Sequence, residues 1–241
     1  MTVTVTANGD VPQQPMNFDN SYTPDQLIAG VFPRVTYNVT VLSGATVNTV
    51  TPLPRGTVLG QQTIGTGATS VAGTNTGTGT FVVDATTPVQ ANAQVGAYTI
   101  TILATGRALL QDPLARAVRE YEFSSGGTVT INDQIKGVLT DTSTHFVAGD
   151  SFTVTVAAGS GKWVPCVKTA LDGSNVPLAI LADVCDPSGG DVNAGVYQSG
   201  EFNQNAITFD SGWTVATLVP FLRDVSIFLK SSLSAADPSN E

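Results

Sequence analysis

The sequence predicts a mainly β protein: a small β-rich unit with one short helix, interrupted by an antiparallel β-sandwich. Three observations lead there. Short apolar segments, several alternating with polar residues, recur between turn signals from Pro33 onward. A Gly-, Thr- and Ser-rich run at Gly65–Gly79 separates segments of different character on its two sides. One stretch, Thr214–Arg223, places apolar residues at helical spacing.

Composition bounds the reading. The chain has 241 residues, 41% of them hydrophobic and 12% charged, which favours a packed core over disorder. Nineteen acidic residues against ten basic ones give a formal charge of −9. No cluster of Lys and Arg is available to neutralise phosphates, so no nucleic-acid partner is expected. Apolar stretches are broken well short of about 20 residues, so no membrane insertion is expected. The opening, MTVTVTANGD, has neither the basic nor the apolar region of a Sec signal, so synthesis in a cytoplasm is expected. Cys166 and Cys185 fit no metal or redox spacing and are expected to be free and buried.

Taken in order, residues 1–32 carry isolated apolar side chains, Met16, Phe18, Tyr22, Leu27, Ile28 and Phe32, without a sustained period; they read as an extended arm. Val35, Tyr37, Val39 and Val41 then alternate with polar residues, the pattern of a half-buried strand. Leu53–Gly56 supplies a turn, and Thr57–Leu59 starts another strand. Gly65–Gly79 reads as a flexible connector. Beyond it, Thr80–Asp84, Ala97–Ala104, Arg119–Ser124, Thr128–Asn132 and Ser151–Ala157 read as strands, at the spacing of a sandwich. Leu109–Val118 has helix-compatible composition, but Pro113 interrupts it, so a loop or a short helical turn is expected.

Short apolar segments return at Val164–Val167, Leu178–Ala182, Gly195–Phe202 and Ala206–Phe209, with turn signals at Asp172-Gly173 and Ser199-Gly200. Thr214 is the expected N-cap of the helix, and Pro220 should keep that helix short or bent. Residues 231–241 form a polar tail. The pattern suggests a core, 33–61 plus 163–230, interrupted by an insert, 62–162. Gln61 and Trp163 should then sit close together.

Catalytic chemistry finds little support. His145 is the only histidine, and no Gly-x-Ser-x-Gly elbow accompanies it. Ser160, within Ala158-Gly159-Ser160-Gly161-Lys162, reads as a polar residue near a strand end. The same run lacks the first Gly and the final Ser or Thr of a phosphate loop, with Val156 and Trp163 at those places. Asp186 and Asp191 flank Gly189-Gly190 but lack the alternating carboxylates of a calcium loop. No metal, cofactor or enzymatic activity is expected.

Ordered motifs supply more. Tyr22–Gly30 with Phe32-Pro33, then Leu53–Gly60, resemble the opening of lambda-type head decoration proteins of tailed phages. Ala179–Asp183, Val196–Asn203, Leu222–Asp224 and Ile227–Lys230 are similar to the same family's C-terminal half. The insert, with Gly77–Phe81, Asn132–Ile135 and Ala157–Lys162, resembles the immunoglobulin-like insert of longer members.

The resemblance implies a cement protein, a homotrimer on three-fold positions outside an expanded head. The major capsid protein would be its partner, and Phe18, Tyr22, Leu27, Ile28 and Phe32 would be capsid contacts. The competing reading of these five residues is packing on the chain's own core. The insert would either bind host surface glycans or add only bulk and solubility. A rival reading is an adhesin or tail receptor-binding protein that uses the insert as its ligand module. An enzyme acting on host polysaccharide is the third.

Overall fold

The computed structural model describes residues 27–231. Along the chain run β1 (Val35–Val41), β2 (Val58–Gln61), β3 (Ile64–Ala72), β4 (Thr80–Val83), β5 (Gly96–Ala104), β6 (Arg107–Gln111) and β7 (Ala117–Glu122). They are followed by β8 (Thr128–Asn132), β9 (Lys136–Thr140), β10 (Ser151–Ala158), β11 (Trp163–Pro165), β12 (Ala179–Leu181), β13 (Val192–Asn203), helix α1 (Val215–Asp224) and β14 (Ile227–Lys230). The fold is mainly β, with several antiparallel sheets and one short helix.

The six-stranded sheet, ordered β1-β11-β2-β12-β13-β14, closes on itself because β1 also pairs with β13. Five strands thus form a small barrel, and β14 continues parallel to β13 beyond it. Its interior holds Val39, Val41, Leu59, Trp163, Leu181 and Val196. Adjacent residues of one strand point to opposite faces. Leu59 therefore enters the barrel, while Val58 packs outside it with Ile180, Phe202, Trp213 and the helix residues Leu218 and Leu222. Burying each of those two leucines contributes roughly 1.5–3 kcal/mol. Gly60 lies under a neighbouring loop, where a Cβ would stand 2.1 Å from the Ser174 carbonyl oxygen.

Helix α1 begins as expected. Thr214 accepts from the Thr217 amide, and its own amide donates back to the Thr217 hydroxyl, a reciprocal cap that satisfies two end donors. The helix continues through Pro220, which is exposed, and ends after ten residues.

One antiparallel ribbon leads from the barrel into the sandwich. Gln61 pairs with Trp163, Ile64 with Ala158, Ala72 with Phe152, and Thr80 with Thr140. Hydrogen bonds bridge the gaps, including Gln62 N–H to the Lys162 carbonyl and Gly73 N–H to the Ser151 carbonyl. The five-stranded sheet β3-β10-β5-β6-β7 faces the three-stranded sheet β4-β9-β8. Tyr98, Ile100, Leu110, Ile131, Leu139 and Phe146 are among the side chains that fill the space between them. In an immunoglobulin domain the last two strands are neighbours in one sheet. Here β9 and β10 lie in different sheets, so the likeness is one of two-layer architecture and not of strand order.

Several expectations change. Gly65–Gly79 is not a flexible connector, since β3 occupies its first half and pairs with β10 through most of its length. As an edge strand β3 buries little, so backbone pairing forms it without bulky side chains. Leu109–Val118 is neither loop nor helix: it spans the β6–β7 hairpin, with Pro113 in the turn. The buried Asp112 carboxylate accepts from the Leu114 and Arg116 amides and closes that turn. Ser199-Gly200 lies within β13 as an irregularity, Gly200 having φ +147°. Ala206–Phe209 makes only a bridge, Thr57 to Thr208, and no strand. Strand β9 had no counterpart in the sequence reading.

Candidate functional site

The described residues begin at Leu27, and Leu27–Ala29 is the root of the segment expected from the sequence to be an arm. Leu27 accepts through its carbonyl from the Asn203 amide at 2.8 Å, and the Ala29 amide donates to the Glu201 carbonyl at 2.9 Å. Ile28 is thereby bridged to Phe202, and the root lies against the part of β13 that β14 pairs with. Leu27 is 2% exposed, packed in the cluster of Phe202, Leu218 and Ile227. Ile28 is partly buried against the same cluster. Phe32 meets Phe228 edge-on at 5.1 Å and is 37% exposed. Phe18 and Tyr22 lie outside the described residues.

Between root and β1 the chain bows outward. At Gly30 a Cβ would stand 1.6 Å from Glu201 Oε2. That carboxylate is held by Lys230 at 2.7 Å and accepts from the Phe32 amide at 3.5 Å. The Lys230 hydrogen bond keeps the Glu201 carboxyl below the usual range. Val31, at the crest of the bow, is 97% exposed.

Exposed apolar side chains continue into β1. The alternation predicted one buried face for Val35, Tyr37, Val39 and Val41, but only Val39 and Val41 are buried. Val35 and Tyr37 remain 53% and 61% exposed. Strand β11 pairs with β1 only at Val41, so the first half of β1 has β13 on one side and no described strand on the other. Val31, Phe32, Val35 and Tyr37 are thus exposed apolar side chains in the segment that follows Leu27–Ala29. The sequence signal for the last two was present in the alternation, whereas the missing neighbour was not.

The other candidate groups are accounted for by structure. Ser160 donates to Gln62 Oε1 at 2.7 Å in the turn before β11, while His145 lies in the loop between β9 and β10. Asp191 is taken up by Lys162 at 2.6 Å and by the Ser43 amide, and Asp186 accepts from the Ser188 amide. Cys166 and Cys185 are free and buried in separate clusters, as expected. Burial pushes the Cys166 thiol up to about 12 and raises that of Cys185. A groove of about 390 Å³ at the ribbon junction, between Gln90–Ala93 and Lys168–Val176, is lined by amides, hydroxyls and methyls. Its ammonium, Lys168, sits over the Trp213 ring at 5.3 Å. Among the described residues no helix is long and apolar enough to cross a membrane.

A family model described as bacteriophage lambda head decoration protein D matches residues 20–219. No curated protein matches. Two crystal structures of FlgL from Xanthomonas campestris are similar at 22% and 26% identity, with TM-scores of 0.30 and 0.29. The matches cover 42% and 44% of this chain, and 33% and 32% of theirs, so the chain spans about a third of those structures' length.

Proposed function

The chain belongs to the bacteriophage lambda head decoration protein D family, and from that premise we propose how it decorates a phage capsid. It binds as a homotrimer to three-fold positions on the outside of an expanded head and stabilises the shell as a cement protein, without catalysis. The observation that carries this reading is the family match through residues 20–219, which takes in the arm root, the barrel and the ribbon. The exposed apolar side chains Val31, Phe32, Val35 and Tyr37 support it, because a partner docking there would gain by burying them.

In this reading the arm, residues 1–32, contacts the major capsid protein through Phe18, Tyr22, Ile28 and Phe32. Leu27, already buried, fixes the arm to the core. Extended segments add to sheet edges through backbone hydrogen bonds, with alternate side chains filling pockets. Three arms on one trimer bind with an avidity that one arm lacks. The core is 33–61 plus 163–230, the insert 62–162 an immunoglobulin-like sandwich, and 231–241 a tail. The insert projects outward, where it is free to meet glycans of the host surface.

The test is addition of the purified chain to expanded and unexpanded heads. Saturable, stoichiometric binding to expanded heads alone supports decoration. Density for the chain on a tail tip, with none on the head, would refute it in favour of a receptor-binding protein.

A further inference from the structure

We propose that the end of the sandwich remote from the barrel is a recognition surface for an uncharged, polyhydroxylated ligand, a glycan, centred on His145. This rests on the reading of the insert given above and names the site within it.

The ribbon register sets the geometry. Ile64 and Ala158 lie at the barrel end of the β3–β10 pair, Ala72 and Phe152 at the far end. At roughly 3.3 Å per residue, that far end stands about 25 Å beyond the junction. Strand β5 runs outward along β10, so four connections meet there: 73–79, 105–106, 123–127 and 141–150.

These loops are fixed to one another. The buried Asp141 carboxylate accepts from the amides of Gly126, Thr142 and Phe146 and pairs with His145 Nδ1 at 2.9 Å. The buried Asp150 carboxylate accepts from Thr76, Gly77 and Val147. Asn75 Oδ1 accepts from the Ser151 amide, Thr78 bonds Thr142 through their hydroxyls, and the Thr105 hydroxyl donates to the Phe146 carbonyl. At the barrel end, by contrast, Asp84 and Asp112 accept backbone amides only from within their own loops. A buried carboxylate is costly unless saturated with donors. Here that cost secures the relative positions of separate loops, which is what a preformed binding surface needs.

What the loops display is mostly hydroxyl, with Val147 as their exposed large apolar side chain. Thr74, Thr76, Ser124, Ser125, Ser143 and Thr144 are exposed hydroxyls, and both acidic side chains of these loops are buried and saturated. Asp141 engages Nδ1 of His145, which leaves Nε2 to hydrogen-bond a ligand, and the His145 side chain is 46% exposed. The loops contain no Trp, Tyr, Arg or Lys to anchor a protein partner or a phosphate, and Arg107, the first residue beyond them, is paired with Glu120. Hydrogen bonding to neutral hydroxyls is the chemistry left.

The experiment uses expanded heads saturated with the full chain, with loading measured first, on an array of neutral and charged bacterial-surface polysaccharides. Capture by neutral polysaccharides should fall at least tenfold with His145→Ala and with Ser143→Trp. Thr155→Trp, on the outer sheet face, should leave it unchanged. His145→Gln, which keeps a donor toward Asp141, guards against a folding artefact and should restore part of the binding. Capture by charged polysaccharides alone, or none by fully loaded heads, would overturn the proposal. Capture undiminished by the loop variants would place the ligand elsewhere and overturn this site while leaving glycan binding by the insert intact. Heads that fail to load would instead refute decoration.

Discussion

Replacing Asp150 by alanine tests how much the far loops depend on one buried carboxylate. Asp150 is 2% exposed, and its carboxylate accepts from Thr76 N–H at 2.8 Å, Gly77 N–H at 3.0 Å and Val147 N–H at 3.1 Å. Gly77 is buried, so its amide would lose its partner without gaining water, at a cost of about 1–3 kcal/mol. Thr76 and Val147 are exposed and would recover part of their loss from solvent. Together the substitution should destabilise the sandwich by about 3–5 kcal/mol at neutral pH. For a chain of this size that lowers Tm by roughly 6–20 °C. Burial works to raise the Asp150 pKa, but the amides of Thr76, Val147 and Gly77 outweigh it and hold the carboxyl below its ordinary value. The stabilisation is therefore fully present above the unfolded pKa of about 3.9 and is lost as pH falls through the lower folded value. Calorimetry of parent and variant from pH 7 down to the acid limit of folding is the assay. A variant within about 1 kcal/mol of the parent at pH 7, or a gap that widens on acidification, would refute the reasoning.

Other outcomes follow from the same geometry. Replacing residues 62–162 with a two-residue Asn-Gly turn should leave a folded barrel, because Gln61 and Trp163 are already antiparallel partners; loss of dispersed methyl signals in an NMR spectrum would contradict it. Gly60→Ala should cost about 1–3 kcal/mol or more by forcing the Ser174 backbone aside, read as a lower denaturation midpoint. Cys166 and Cys185 should resist a thiol reagent in the native protein and react fully in denaturant. Deleting residues 1–26 should abolish capsid binding. Extending the deletion through residue 32 removes the buried Leu27 and should cost about 2–5 kcal/mol relative to the shorter deletion, measured by urea unfolding.

Local signals in the sequence were strong where one side chain or one turn decides the outcome. Alternating Phe152, Val154 and Val156 with threonines between them specifies a strand with one buried face, and β10 is that strand. Thr214 specifies the start of α1 because its hydroxyl is the nearest acceptor for an unpaired amide. Signals were weak where pairing decides. Nothing bulky in Ile64–Ala72 announces β3, and helix-compatible composition hides the β6–β7 hairpin, since the hydrogen bonds that make these strands come from distant or neighbouring backbone. The candidate site was half legible. Leu27, Ile28 and Phe32 stood out as apolar residues in a polar segment, yet their fates differ: Leu27 is buried, Ile28 partly so, and Phe32 is left at the surface.

Periodicity and turn chemistry by themselves determined a mainly β chain, the strand at Ser151–Ala158 and the helix that starts after Thr214, because each of these follows from neighbouring residues. The tertiary structure decided the closure of the barrel, the continuity of the ribbon into the sandwich, and the exposure of Val35 and Tyr37. Each of those depends on which distant strand lies alongside, and a pairing partner a hundred residues away leaves no mark on local periodicity.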